Sequence, residues 1–206
     1  MFLRVAVVVS GRGSNLASLL RALGEDAPAG VVLVISNRRD AAGLTLAWRH
    51  GVPTHVLQDS ADPAEWRRVL DEAAAGLVVL AGYLKRVPES VVRAWRGRII
   101  NIHPALLPLH GGAGMYGHRV HQAVLAAGET VSGATVHLVT EEYDQGEVLG
   151  QARVPVLPGD TPESLAARVL QVEHRLLPAA VLAAAAAGRP VPFTLDEVGS
   201  ALTPNP

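Results

Sequence analysis

Two rhythms of apolar residues alternate along the first 130 positions. Residues 2–10, FLRVAVVVS, are almost continuously apolar, as a parallel strand covered on both faces requires. A glycine-bearing turn follows, and NLASLLRAL (15–23) then repeats at helical spacing. GVVLVIS (30–36) predicts a second strand, AAGLTLAWRHG a helix ended by Gly51, and THVL a short strand. DPAEWRRVLDEAAAG predicts a helix with Asp62 as its N-cap and Pro63 in its first position. LVVLAGY and GRIINIH are two further strands, separated by a helix starting near Pro88, and a loop at 104–116 leads to a helix around 117–127. Strands alternating with helices predict an α/β fold with a doubly wound, mostly parallel sheet.

From about residue 131 the rhythm changes. GATVHLV and GEVLGQARVPV are strands joined through TEEYDQ, too short for a crossover helix, so antiparallel strands are expected near the C-terminal end. TPESLAARVLQVEHRLLP then predicts a long helix capped by Thr161, with Pro162 first and an apolar stripe of Leu165, Val169, Val172 and Leu176. The final GSALTPNP reads as a frayed end.

Composition narrows the function classes. The 206 residues are 49% hydrophobic and 18% charged, enough for a full core, and a net charge of −1 speaks against a general nucleic-acid or membrane-surface binder. With no cysteine, disulfides, thiolate metal sites and thiol nucleophiles are excluded, which suits a reducing compartment. The opening MFLRVAVVVSGRGSN is broken by Arg4 and reads as a strand, not a signal peptide. No apolar run is expected to reach membrane-spanning length, VLAAAAAG being far too short.

Polar residues at three places carry candidate chemistry. In NIHPALLP, Asn101 and His103 share one face of a strand that stops at Pro104, where open α/β sheets bind ligands. A capped strand end with a core histidine fits that fragment equally well. SGRGSNL (10–16) joins the first strand to the first helix and offers glycines, free N–H groups and polar side chains to a phosphate, although it is also a plain tight turn. Asp144, in YDQGEVL, is a solvated loop carboxylate unless it partners His103; as a partner it would favour the charged imidazole and raise the pKa of His103. His118 and His121 are three apart on a helix but lack further ligands for a metal, and Glu173 flanks the late apolar stripe.

Taken together and in this order, SGRGSNL, LAGYLKRV, NIHPALLP, YDQGEVL and VEH resemble the folate-dependent formyltransferases. GSNL and VEH narrow the resemblance to the group acting on phosphoribosylglycinamide, and it runs from about residue 4 to 193. The resemblance implies a formyltransferase-type Rossmann-like fold, with one domain over 1–193 and a tail over 194–206. It implies an enzyme that transfers a formyl group from the co-substrate 10-formyltetrahydrofolate to the amine of phosphoribosylglycinamide in de novo purine biosynthesis. Its partners would be these small molecules, with no metal, nucleic acid or membrane, in a cytoplasmic monomer or homodimer.

By the same resemblance Asn101, His103 and Asp144 match a catalytic trio, Gly13, Ser14 and Asn15 a phosphate site, and Glu173 a ribose contact. Leu84, Lys85, Arg86 and Val87, with Asn101, match the folate pocket, around whose pteridine residues 139–144 should close. There are departures. LHGGAGMYG, between Pro108 and His118, is long and glycine-rich, so Gly112–Met115 match only loosely, and DPAEW offers no base for the folate's glutamate tail. Two rivals remain, a formyltetrahydrofolate deformylase using water and a non-catalytic nucleotide- or folate-binding module. The phosphate cradle argues against the first, and the three intact polar positions against the second. A formyltransferase acting on methionyl-tRNA would need a further domain and a basic surplus.

Overall fold

Where this chain can hold a ligand follows from the order of its strands. The structure, a computed structural model, describes residues 2–195; the tail expected over 194–206 lies outside the described residues from 196 onward. The elements are β1 (Leu3–Val9), α1 (Ser14–Ala22), β2 (Ala29–Ser36), α2 (Ala42–Arg49), β3 (Thr54–Val56), α3 (Pro63–Glu72), β4 (Leu77–Leu80), α4 (Glu89–Ala94), β5 (Ile99–His103), α5 (His118–Ala126), β6 (Val131–Leu138), β7 (Val148–Pro155) and α6 (Pro162–Ala187). They form one sheet in the order β3-β2-β1-β4-β5-β6-β7. Strands β1 to β5 run parallel, whereas β6 pairs antiparallel with β5, and β7 with β6. Because β2 and β4 flank β1 on opposite sides, the loops leaving β1 and β4 part above the sheet and open a crevice at the strand ends.

The period-two alternation of the central strand builds a core on each face. Val5, Val7 and Val9 pack with Leu16, Leu19, Leu165, Val169 and Leu176 on one side. Ala6 and Val8 pack with Trp66, Val69, Leu70, Val91 and Val92 on the other. In β5 the same alternation sends Ile100 and Ile102 to the α6 side and leaves Asn101 and His103 on the opposite face.

The helix punctuation follows the sequence. Asp62 accepts the N–H of Ala64 at 2.9 Å, and Thr161 and Ser164 form a reciprocal capping box under Pro162. The largest boundary difference is at α6, which does not stop at Pro178 but continues to Ala187. Leu176, Leu177, Ala179, Ala180, Val181 and Ala184 are all buried beyond or beside the proline. That burial offsets the roughly 3 kcal/mol an interior proline costs. Extended in this way, α6 is 26 residues and apolar enough to span a membrane by length and composition, contrary to the expectation from the sequence. Its apolar side instead covers β6, β7 and α1.

Gly133, inside β6, is a sensitive point of this core. A Cβ there would meet the Ala152 carbonyl oxygen at 2.0 Å and Leu106 at 2.7 Å. Gly133→Ala should destabilise the fold by about 2 kcal/mol, read as a lower urea midpoint at unchanged slope.

Candidate active site

A cleft of about 660 Å³ opens over the ends of β1, β4 and β5 and is lined by Gly11–Asn15 and by Leu84–Val87 among others. Its size suits one or two small organic molecules. Asn101, His103 and Asp144 lie on its wall, and Glu173 reaches it from α6, so the residues expected in the trio, the 13–15 turn, the 84–87 segment and Glu173 all border one cavity.

The trio is held together largely by backbone. His103 is 3% exposed, and its Nε2 lies 2.9 Å from the carbonyl oxygen of His110. A carbonyl only accepts, so Nε2 carries a proton and a neutral ring leaves Nδ1 bare. Nδ1 faces Asp144 Oδ2 at 3.7 Å. Asp144 sits in the left-handed region (φ 53°) and accepts the Gly112 N–H at 2.9 Å. The 109–117 loop thus grips both side chains, the histidine through one carbonyl and the aspartate through one N–H. These two backbone contacts were not foreseen from the sequence.

Electrostatics corrects one expectation. The pKa of His103 is lowered, not raised: burial disfavours the imidazolium by more than the Asp144 charge and the His110 carbonyl favour it. Burial also works to raise Asp144, but its hydrogen-bonding contacts, the Gly112 N–H among them, outweigh it and hold the carboxyl below its usual range. The pair therefore rests as a neutral imidazole beside a carboxylate.

At the β1–α1 turn, no side chain among the described residues caps the first N–H groups of α1. Gly13 caps α1 in the left-handed conformation (φ 75°), and a Cβ there would press on the Gly43 backbone at 2.8 Å, so only glycine fits. Ser14 lines the cleft. Asn15 is buried and turns its amide inward, donating through Nδ2 to Glu173 Oε2 at 2.6 Å. Glu173 is accordingly no solvated flank: it is 8% exposed, and burial pushes its carboxyl up despite the Asn15 bond. The turn's free donors include the N–H groups at the start of α1, the Ser14 hydroxyl and the Arg12 guanidinium, which also lines the cleft.

Leu84, Lys85 and Arg86 are exposed at the rim and Val87 is buried beneath them. Ser10 fixes this segment to β1, donating to Asn37 Oδ1 at 2.6 Å while accepting the Leu84 N–H at 2.9 Å. Residues 139–144 also line the cleft, beside the 84–87 segment. Arg86 donates to the Glu141 carbonyl and Arg96 to its carboxylate at 2.9 Å, clipping residues 139–144 to the 84–87 side.

Further histidines surround the trio. His137 is 2% exposed with Nε2 3.1 Å from Asn101 Nδ2, a neighbour that sequence reading missed. His121 lines the cleft from α5, its pKa pushed down to about 4 by burial and then by the charges of His118 and His103. Among the described residues, no three histidine, aspartate or glutamate side chains gather as a metal would need.

Residues 3–181 match the formyl transferase family. The chain belongs to that family. It is 45% identical, over 84% of its length, to the chloroplastic phosphoribosylglycinamide formyltransferase of Arabidopsis thaliana, and spans 62% of that plant protein. To the phosphoribosylglycinamide formyltransferase of Escherichia coli it is 37% identical, over 85% of this chain and 84% of that one. The crystal structure of the phosphoribosylglycinamide formyltransferase from Anaplasma phagocytophilum matches this fold with a TM-score of 0.84 at 41% identity, over 90% of this chain and 87% of that one.

The buried histidines of this formyl transferase fold make its stability pH-dependent. With folded-state pKa values lowered, to about 4 for His121, both rings stay neutral while the unfolded chain takes up protons below about pH 6.5. Stability should be full above that pH and fall as pH drops towards 4. Melting temperatures measured across the window should decline in the wild type and decline less steeply in His121→Leu. Equal slopes would assign the acid sensitivity to other groups.

Proposed function

We propose that the protein transfers the formyl group of 10-formyltetrahydrofolate to the amine of phosphoribosylglycinamide, a step of de novo purine biosynthesis. The observation that carries this reading is one cleft lined by both the polar trio and the start of α1, in a chain of the formyl transferase family. The N–H groups at the start of α1, with Ser14, take the substrate's phosphate, where backbone dipoles favour negative charge. Gly13 shapes that turn, Asn15 holds Glu173, and Glu173 accepts from the ribose hydroxyls through Oε1. Leu84–Val87 and residues 139–144 receive the folate. The same reading takes 1–193 as one catalytic domain acting in the cytoplasm.

Between the two bound substrates the amine nitrogen attacks the formyl carbon. Asn101 donates an amide hydrogen to the oxygen as it becomes an oxyanion, a contribution of about 3 kcal/mol. His103 enters neutral. It takes the amine proton on the bare Nδ1, the resulting imidazolium is stabilised by Asp144, and the proton passes to the departing folate nitrogen as its bond to the formyl carbon breaks. No bond to the protein forms, and proximity supplies much of the acceleration.

The deformylase reading differs in its nucleophile, and one assay separates the two. Folate product should form only when phosphoribosylglycinamide is added with 10-formyltetrahydrofolate; turnover on the folate alone would mean hydrolysis, and no turnover would leave a binding module. Asn101→Ala, His103→Ala and Asp144→Asn should each lower kcat by roughly a hundredfold or more. Ser14→Ala should raise the KM for the ribonucleotide and leave that for the folate unchanged.

A further inference from the structure

Asn101 poses a geometric problem that its own strand does not solve. A carboxamide has a donor end and an acceptor end of nearly the same shape, and only the NH2 end can stabilise an oxyanion. Something must fix which end faces the reacting oxygen. The antiparallel pairing of β5 with β6 puts His137 directly opposite Asn101. The His137 ring is almost wholly enclosed, and its Nδ1 lies 2.8 Å from the Leu138 carbonyl oxygen. Since that oxygen only accepts, Nδ1 carries the hydrogen, and Nε2 of the neutral ring is left as a bare acceptor. Asn101 Nδ2 is 3.1 Å from this nitrogen.

We propose that His137 is a positioning residue for the formyl-transfer reaction, whose bare Nε2 holds the Asn101 carboxamide with its NH2 group towards the formyl oxygen. The proposal rests on the functional reading above. One Nδ2 hydrogen goes to His137, and the second, on the same nitrogen, is presented to the cleft. Turning the amide over would set Oδ1 against the Nε2 lone pair, acceptor against acceptor, and would cost the hydrogen bond as well. The Leu138 carbonyl is therefore the far anchor of a chain that runs through His137 to Asn101 and ends at the reacting oxygen. Asp144 Oδ1 also approaches His137 Nε2, at 3.4 Å, but Asp144 has its own anchor in the Gly112 N–H. With the ring proton on Nδ1, it is the Asn101 contact that is a hydrogen bond.

Three measurements test this. Nitrogen NMR of histidine-labelled protein should show His137 protonated on Nδ1 and bare on Nε2; a proton on Nε2 would overturn the proposal. His137→Leu should lower kcat on the order of tenfold to a hundredfold while the KM values for both substrates move less than about twofold. His137→Gln, whose Oε1 can accept from Asn101, should recover part of that loss, and it keeps the test open if the leucine variant does not fold.

The decisive comparison is a pair of double-mutant cycles. In an Asn101→Ala background the His137 substitution should cost little, since no amide is left to orient, whereas in an Asp144→Asn background it should retain its effect. A full loss with Asn101→Ala that disappears with Asp144→Asn would overturn the proposal and assign His137 to the carboxylate. Absence of formyl transfer by the wild-type protein would overturn the functional reading itself, and would be seen before any variant is compared.

Discussion

The antiparallel pairing of β5 with β6 is the contact on which the rest of the site depends. It sets Asn101 against His137 and His103 against Thr135, and so fixes the register of every polar group on that wall. Thr135 then anchors the chain leaving β5: its hydroxyl donates to the Ala105 carbonyl at 2.7 Å and accepts the Leu107 N–H at 3.0 Å. A slip of one residue would turn Ile100 and Ile102 towards the cleft and bury Asn101 and His103 beneath α6. With one face committed to an apolar core, such a slip is strongly disfavoured.

Burial and charge compete at His103, and burial prevails. The consequence is chemical as well as thermodynamic. An imidazole that rests neutral is ready to receive a proton, and the carboxylate beside it acts most strongly once that proton has arrived. Asp144 thus contributes more to the charged state that develops during reaction than to the resting one, which is the sense in which a site is complementary to its transition state. The loop that holds both groups does so through backbone atoms of His110 and Gly112, so the arrangement tolerates side-chain change in the loop more readily than change in its path.

Much of this was legible in the sequence because the signals were local. The alternation in GRIINIH placed Asn101 and His103 on one face, Asp62 and Thr161 announced their helices, and the turn at 10–16 lies where the first helix starts. The missed features arise from pairs distant along the chain. His137 carries no signal until the β5–β6 register is known. The lowered pKa of His103 depends on how many layers cover it, and Pro178 reads as a stop only while its packing partners are ignored. The burial of Glu173 carries no local signal because its partner, Asn15, is 158 residues away.

That last separation has a consequence for biosynthesis. The β1–α1 turn is synthesised well before α6, but the carboxylate that engages Asn15 belongs to that last helix of the described fold. Until α6 has been made, the early strands also lack the cover of Leu165, Val169 and Leu176. A nascent chain therefore holds an exposed apolar sheet and a half-built cleft at the same time, and both are completed when α6 docks.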